Sequence, residues 1–197
     1  MLGLPAYTEP IAPSLAYVDG KLVIATNGTS TPIYVNAKTG VKEGTVTLGS
    51  AEAYSVTNDE GKYILYCNHA NGGETFNIWR STSVDTAPEL YHSFTNTTAL
   101  PMGAKMKVNG SLDGDALIVI TNEGVAGVTE SGMITVVEVK GGAIVNTSVV
   151  DLSGVGTWGE APVNIGTVVA ASTDMADGWF TSQYEPSEFR WIKGDGT

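Results

Sequence analysis

Four times along the chain a turn rich in Gly, Asn or Asp leads into an unbroken apolar run. Asp19-Gly20 precedes Lys21-Leu22-Val23-Ile24-Ala25, and Asn58-Asp59-Glu60-Gly61 precedes Lys62-Tyr63-Ile64-Leu65-Tyr66-Cys67. Asp113-Gly114 precedes Asp115-Ala116-Leu117-Ile118-Val119-Ile120, and Asn164-Ile165-Gly166 precedes Thr167-Val168-Val169-Ala170-Ala171. Gly beside Asp or Asn tolerates positive φ, so each turn joins its run to a hairpin partner upstream, at 15–18, 53–56, 105–108 and 161–163. A third strand is predicted after each run, at 32–36, 75–79, 133–139 and 179–184. A fourth closes each unit, at 44–48, 89–94, 144–150 and 189–193.

The second strand of each unit is almost wholly apolar, whereas the third and fourth alternate. That gradient is expected when inner strands are covered on both faces by neighbouring sheets. Val, Ile, Thr and Tyr dominate the ordered stretches and no segment holds a 3.6-residue period, so the chain is all-β. The runs start 41, 53 and 52 residues apart, near the ~40–50 residue length of a propeller blade. The expected architecture is one β-propeller-like domain over 1–197, with four blades of four antiparallel strands at about 13–48, 49–96, 97–152 and 153–193. Four blades make either a complete small ring or part of a larger propeller.

Ile33-Tyr34-Val35-Asn36-Ala37-Lys38-Thr39-Gly40 resembles the hairpin between third and fourth strands of quinoprotein-type β-propellers. In its Gly-rich hairpins, Thr-rich strands and acidic charge, the whole chain is similar to propeller-like surface lipoproteins of gut Bacteroidetes. The resemblance implies an extracellular or bacterial cell-surface setting, with the leader absent from this sequence; a cytoplasmic protein is the alternative. It supplies no catalytic residues.

Composition narrows the function classes. Ten Lys and Arg against 21 Asp and Glu give a net charge of -11, which repels phosphate backbones, so no nucleic-acid partner is expected. No apolar stretch reaches the ~20 residues of a membrane span. Cys67, the single cysteine, lies inside an apolar run and reads as a buried structural thiol. Asp113-Gly114-Asp115 and Asp174-Met175-Ala176-Asp177 are dense in carboxylate but lack the further ligands of a calcium loop, and turn chemistry explains them. His69 and His92 form no metal-binding pair with helical spacing. No metal or cofactor is expected.

In a propeller, the loops entering each inner strand share one face with the loops between second and third strands. On that face fall 49–52, 97–104 and 154–160, with 27–31, 69–73, 122–131 and 173–178 beside them. Glu52 and Glu160 end corresponding loops and face each other across the axis of a four-bladed ring. Paired carboxylates hold a cation or, at the extreme, act as acid and base on a glycoside. Trp158, between glycines, and Met102 offer an apolar platform for a sugar ring or partner side chain. Lys105 and His69 add polar groups, completing the candidate ligand-binding set. Trp79, Trp179 and Trp191 lie on strands and are expected to pack between blades.

The preferred expectation is a non-catalytic binding or scaffold module that takes a glycan or protein through this loop face. A propeller hydrolase or lyase using paired carboxylates is the alternative. A structural fragment pairing with another chain, including as a homodimer, is a third.

Overall fold

The computed structural model describes residues 14–26, 31–60, 62–123, 132–152, 165–183 and 188–196. Among the described residues fifteen strands form four antiparallel meanders. The first sheet holds β1 (Ser14–Val18), β2 (Lys21–Ala25), β3 (Ile33–Asn36) and β4 (Lys42–Thr45). The second holds β5 (Ser55–Asn58), β6 (Ile64–Cys67), β7 (Thr75–Ser81) and β8 (Glu89–Thr95). The third holds β9 (Met102–Gly110), β10 (Ala116–Asn122), β11 (Met133–Lys140) and β12 (Ala143–Asp151). The fourth has three described strands, β13 (Ile165–Ala170), β14 (Trp179–Gln183) and β15 (Glu188–Ile192). The expected strand at 161–163 lies outside the described residues. A short 3₁₀ turn, Met175–Asp177, is capped by the Asp174 carboxylate on the Ala176 amide.

The sheets stack in sequence order, and alternation along each inner strand divides its side chains between two cores. From β6, Ile64 and Tyr66 join Ala16, Val23 and Val56 between the first and second sheets. Leu65 and Cys67 turn the other way, joining Ile78, Met106, Ile118 and Val137 between the second and third. From β10, Leu117 and Val119 meet Val136, Val168 and Trp179 between the third and fourth. Every residue of β6 and β10 is therefore buried, while β8 and β12 at the outside alternate with exposed positions. Each such Leu or Ile contributes about 1.5–3 kcal/mol through burial.

β2 departs from the expected two-sided burial, because among the described residues the first sheet packs against a neighbouring sheet on one face. Its other face leaves Leu15 and Tyr17 exposed, with Leu22 and Ile24 half-buried in register beside them. At the far end of the stack, Phe189 and Trp191 are exposed on β15. Trp191 thus does not pack between sheets as expected; its indole Nε1 donates to the Asp177 carbonyl at 3.0 Å. Trp79 and Trp179 are buried between sheets. Strands β1 and β5, and β5 and β9, lie against each other, and β13 meets β9 and β10. Among the described residues no comparable contact joins β13 to β1.

At its turn end, the seam between the second and third sheets is fastened by Asp59, which is 2% exposed. Its Oδ1 accepts the amides of Lys62 (3.0 Å) and Tyr63 (2.7 Å), and its Oδ2 accepts that of Leu112 (3.0 Å). One carboxylate so shapes its own turn and ties it to the next sheet's. Nearby, Asp113 accepts from Lys62 Nζ and from the Tyr63 hydroxyl. The Arg80 guanidinium lies 4.8 Å from the Tyr63 ring and 4.5 Å from that of Tyr91, and pairs with Glu89 at 2.9 Å.

Candidate functional site

The opposite end of the same seam gathers most of the described candidate residues. There the chain leaving β6 meets the chain entering β9: Ala70 and Met102 exchange both backbone hydrogen bonds, at 3.1 and 3.0 Å. Gly103 permits the approach. Its φ is +121°, and a Cβ there would lie 2.4 Å from the Asn68 carbonyl oxygen. Asn68 is held from behind, its side chain bonding the Thr75 carbonyl and Asn77 amide. Buried Asn96 donates to the carbonyls of Ala70 and Leu100. These bonds set the loop carrying His69 against the strand carrying Lys105.

His69 packs edge-on against Tyr54, ring centroids 4.9 Å apart. On its other side His69 Nε2 stands 3.3 Å from Glu123 Oε1, with both side chains about one third exposed. That distance suits an ion pair, but the approach is not aligned as a hydrogen bond, and the carboxylate oxygen has no hydrogen-bonding partner among the described residues. Burial, reinforced by the Glu123 charge and contact, pushes the Tyr54 hydroxyl up to about 12. Lys105, on β9 opposite Thr121, is pushed below the usual lysine value by burial, an effect the Glu123 carboxylate opposes. The cluster presents a phenol, an imidazole, an ammonium and a carboxylate at one loop end, a set able to donate to and accept from a polar ligand.

Of the candidate residues, His69 and Lys105 both lie near Glu123, with Tyr54 against His69. Glu52 is exposed, and its negative charge acts on Cys67. Met102 is corrected: it is fully buried in the core between the second and third sheets, so it offers no surface platform. Trp158 and Glu160 lie outside the described residues, and the paired-carboxylate arrangement with them.

Cys67, beneath the cluster, is fully buried; its Sγ lies 3.1 Å from Ser55 Oγ and 3.4 Å from the Gly103 carbonyl. Burial pushes the thiol up to about 11, leaving it protonated and a poor nucleophile. Asp113 and Asp115 are engaged locally, the latter with Lys140 and the Gly141 amide. Among the described residues no three His, Cys, Asp or Glu side chains group to hold a metal ion.

The fold is similar to the crystal structure of a DUF4623 family protein from Bacteroides eggerthii, with a TM-score of 0.62 and 12% sequence identity. The likeness covers 92% of this chain and 42% of that one, so the chain spans less than half the length of its structural relative. No curated protein matches the sequence. The model of a domain of unknown function, DUF8500, matches residues 1–197, and the chain belongs to that family.

Proposed function

We propose that the chain is a non-catalytic binding module, an arc of propeller blades that takes a glycan or protein ligand at the loop end between the second and third sheets. The observation that carries this reading is the convergence of Tyr54, His69, Lys105 and Glu123 from two sheets onto one partly exposed spot. Such a mixture of donors and acceptors favours binding, while the protonated, buried Cys67 offers no nucleophile to the cluster. The inner strands lying against one another and the stacked meanders support a blade arrangement. An extracellular or cell-surface setting follows from the sequence resemblance. A glycan array, followed by titration of its hits, tests the binding reading. Replacing His69 and Lys105 together with Ala should weaken any hit at least about tenfold while leaving the melting temperature nearly unchanged. Equal binding by wild type and the double variant would remove this spot from the function.

A second reading, pairing with another chain, is favoured by the exposed apolar residues at both ends of the stack. Leu15 and Tyr17 are 46% and 52% exposed, Phe189 and Trp191 72% and 54%. Apolar residues clustered on an uncovered sheet face mark an interaction surface. Light scattering across a concentration series should show a dimer or larger assembly, which Tyr17→Lys or Trp191→Lys dissociates.

A further inference from the structure

The outer side of the seam between the second and third sheets opens into a cleft of about 280 Å³, lined by Phe94, Thr95, Thr97, Thr135, Thr147, Ser148 and Val149. The register explains its walls. On β8, Phe94 pairs with Phe76 and His92 with Ile78, so both rings face the third sheet. On β11, Thr135 shares its face with Val137 and Val139 of the same core, while Thr147 and Val149 of β12 sit opposite Val137 and Thr135. Phe94 is braced by Phe76 and His92, ring centroids 5.2 and 5.5 Å away, and His92 Nε2 bonds Thr147 Oγ1 at 2.8 Å.

Two features separate this cleft from ordinary packing. Thr135 interrupts an apolar strand, is 2% exposed, and its Oγ1 has no hydrogen-bonding partner among the described residues. A buried hydroxyl without a partner is costly, and valine fills the same volume without that cost. The lining is also rich in hydroxyls and carries no charged side chain, and burial lowers the His92 pKa so that the adjoining imidazole is neutral at physiological pH. An anion or cation would meet no counter-charge here. The volume, at the small end of ligand pockets, matches one small ring. A flat aromatic face with hydroxyls around it suits a ligand that is apolar on one side and hydroxylated at its rim.

We propose that this cleft binds a single neutral pyranose ring, seated on Phe94 and hydrogen-bonded by Thr135. The site is distinct from the loop-end cluster, and its binding stands or falls without it. The test is a nuclear magnetic resonance titration with the methyl glycosides of glucose, galactose and mannose, with glucuronic acid as the charged control. Oligosaccharides ending in the best of these separate a free sugar from a glycan terminus. At least one neutral glycoside should shift resonances of Phe94, Thr135 and Thr147 and saturate at a roughly millimolar dissociation constant, with glucuronic acid weaker. Thr135→Val should weaken binding about tenfold while the melting temperature stays level or rises. Phe94→Leu should weaken it too, and the His69, Lys105 double variant should bind as wild type. No neutral glycoside binding up to roughly 50 mM, full affinity in Thr135→Val, or shifts centred on His69 and Lys105 would each overturn the proposal.

Discussion

The two ends of the seam between the second and third sheets use the same residue types to opposite effect. At the turn end the Asp59 carboxylate receives three backbone amides, Asp113 holds a lysine and a tyrosine, and Arg80 is held between two aromatic rings with a glutamate beside it. At the loop end Glu123 approaches His69 without an aligned bond, and both remain partly exposed. Charges satisfied by neighbouring backbone fasten two sheets, whereas those at the loop end meet one another at a partly exposed surface.

The largest effect should come from the middle of the seam. Leu65→Ala removes a fully buried side chain from the core that both ends share, and should cost about 2–5 kcal/mol in urea unfolding. Asp59→Ala should follow at about 3 kcal/mol, since three amides lose a charged acceptor and the Leu112 amide is left buried. A loss under about 1 kcal/mol would mean that the two turns are joined by packing alone.

A smaller, pH-dependent effect belongs to the outer side of the seam. His92 is partly buried and its folded pKa is lowered, so below about 6.5 the unfolded chain takes up a proton that the folded chain resists. Stability from this residue is complete above that pH and declines as pH falls towards the folded pKa. Melting temperatures at pH 7.5 and 5 should fall further for wild type than for His92→Gln.

The smallest effect is expected at the loop end, where Glu123→Gln should change stability by no more than about 0.5 kcal/mol. It should nonetheless lower the Tyr54 pKa from about 12 by removing the neighbouring negative charge, a change that ultraviolet titration follows. A stability loss as large as that of Asp59→Ala would erase the contrast between the ends.

Much of this arrangement is written in hydrophobic pattern. β6 and β10 were legible because both of their faces are buried, and Asp19-Gly20 because its two positive φ values, 44° and 75°, are those a tight hairpin demands. β4 was expected at 44–48, on the apolar Val46 and Leu48, but forms at Lys42–Thr45, where Gly44 lies beneath the Tyr34 ring. Val46 still enters the core, from outside the strand. Met102 shows the limit of composition: beside a turn, a core methionine and an exposed one read alike. Tyr54 and Glu123 escaped notice because each is ordinary within its own unit. Comparing units offered a signal, since His69 and Glu123 both follow closely on the second strand of a unit, and adjacent sheets bring such positions together.

Every described strand pairs with sequence neighbours, which gives these sheets a direction of assembly. On the ribosome, a nascent chain needs only β1 to β4 outside the exit tunnel to complete the first sheet, and each later meander finds its template already in place. No described strand waits for a partner synthesised far downstream. Growth of the folded body can thus keep pace with translation, one sheet at a time.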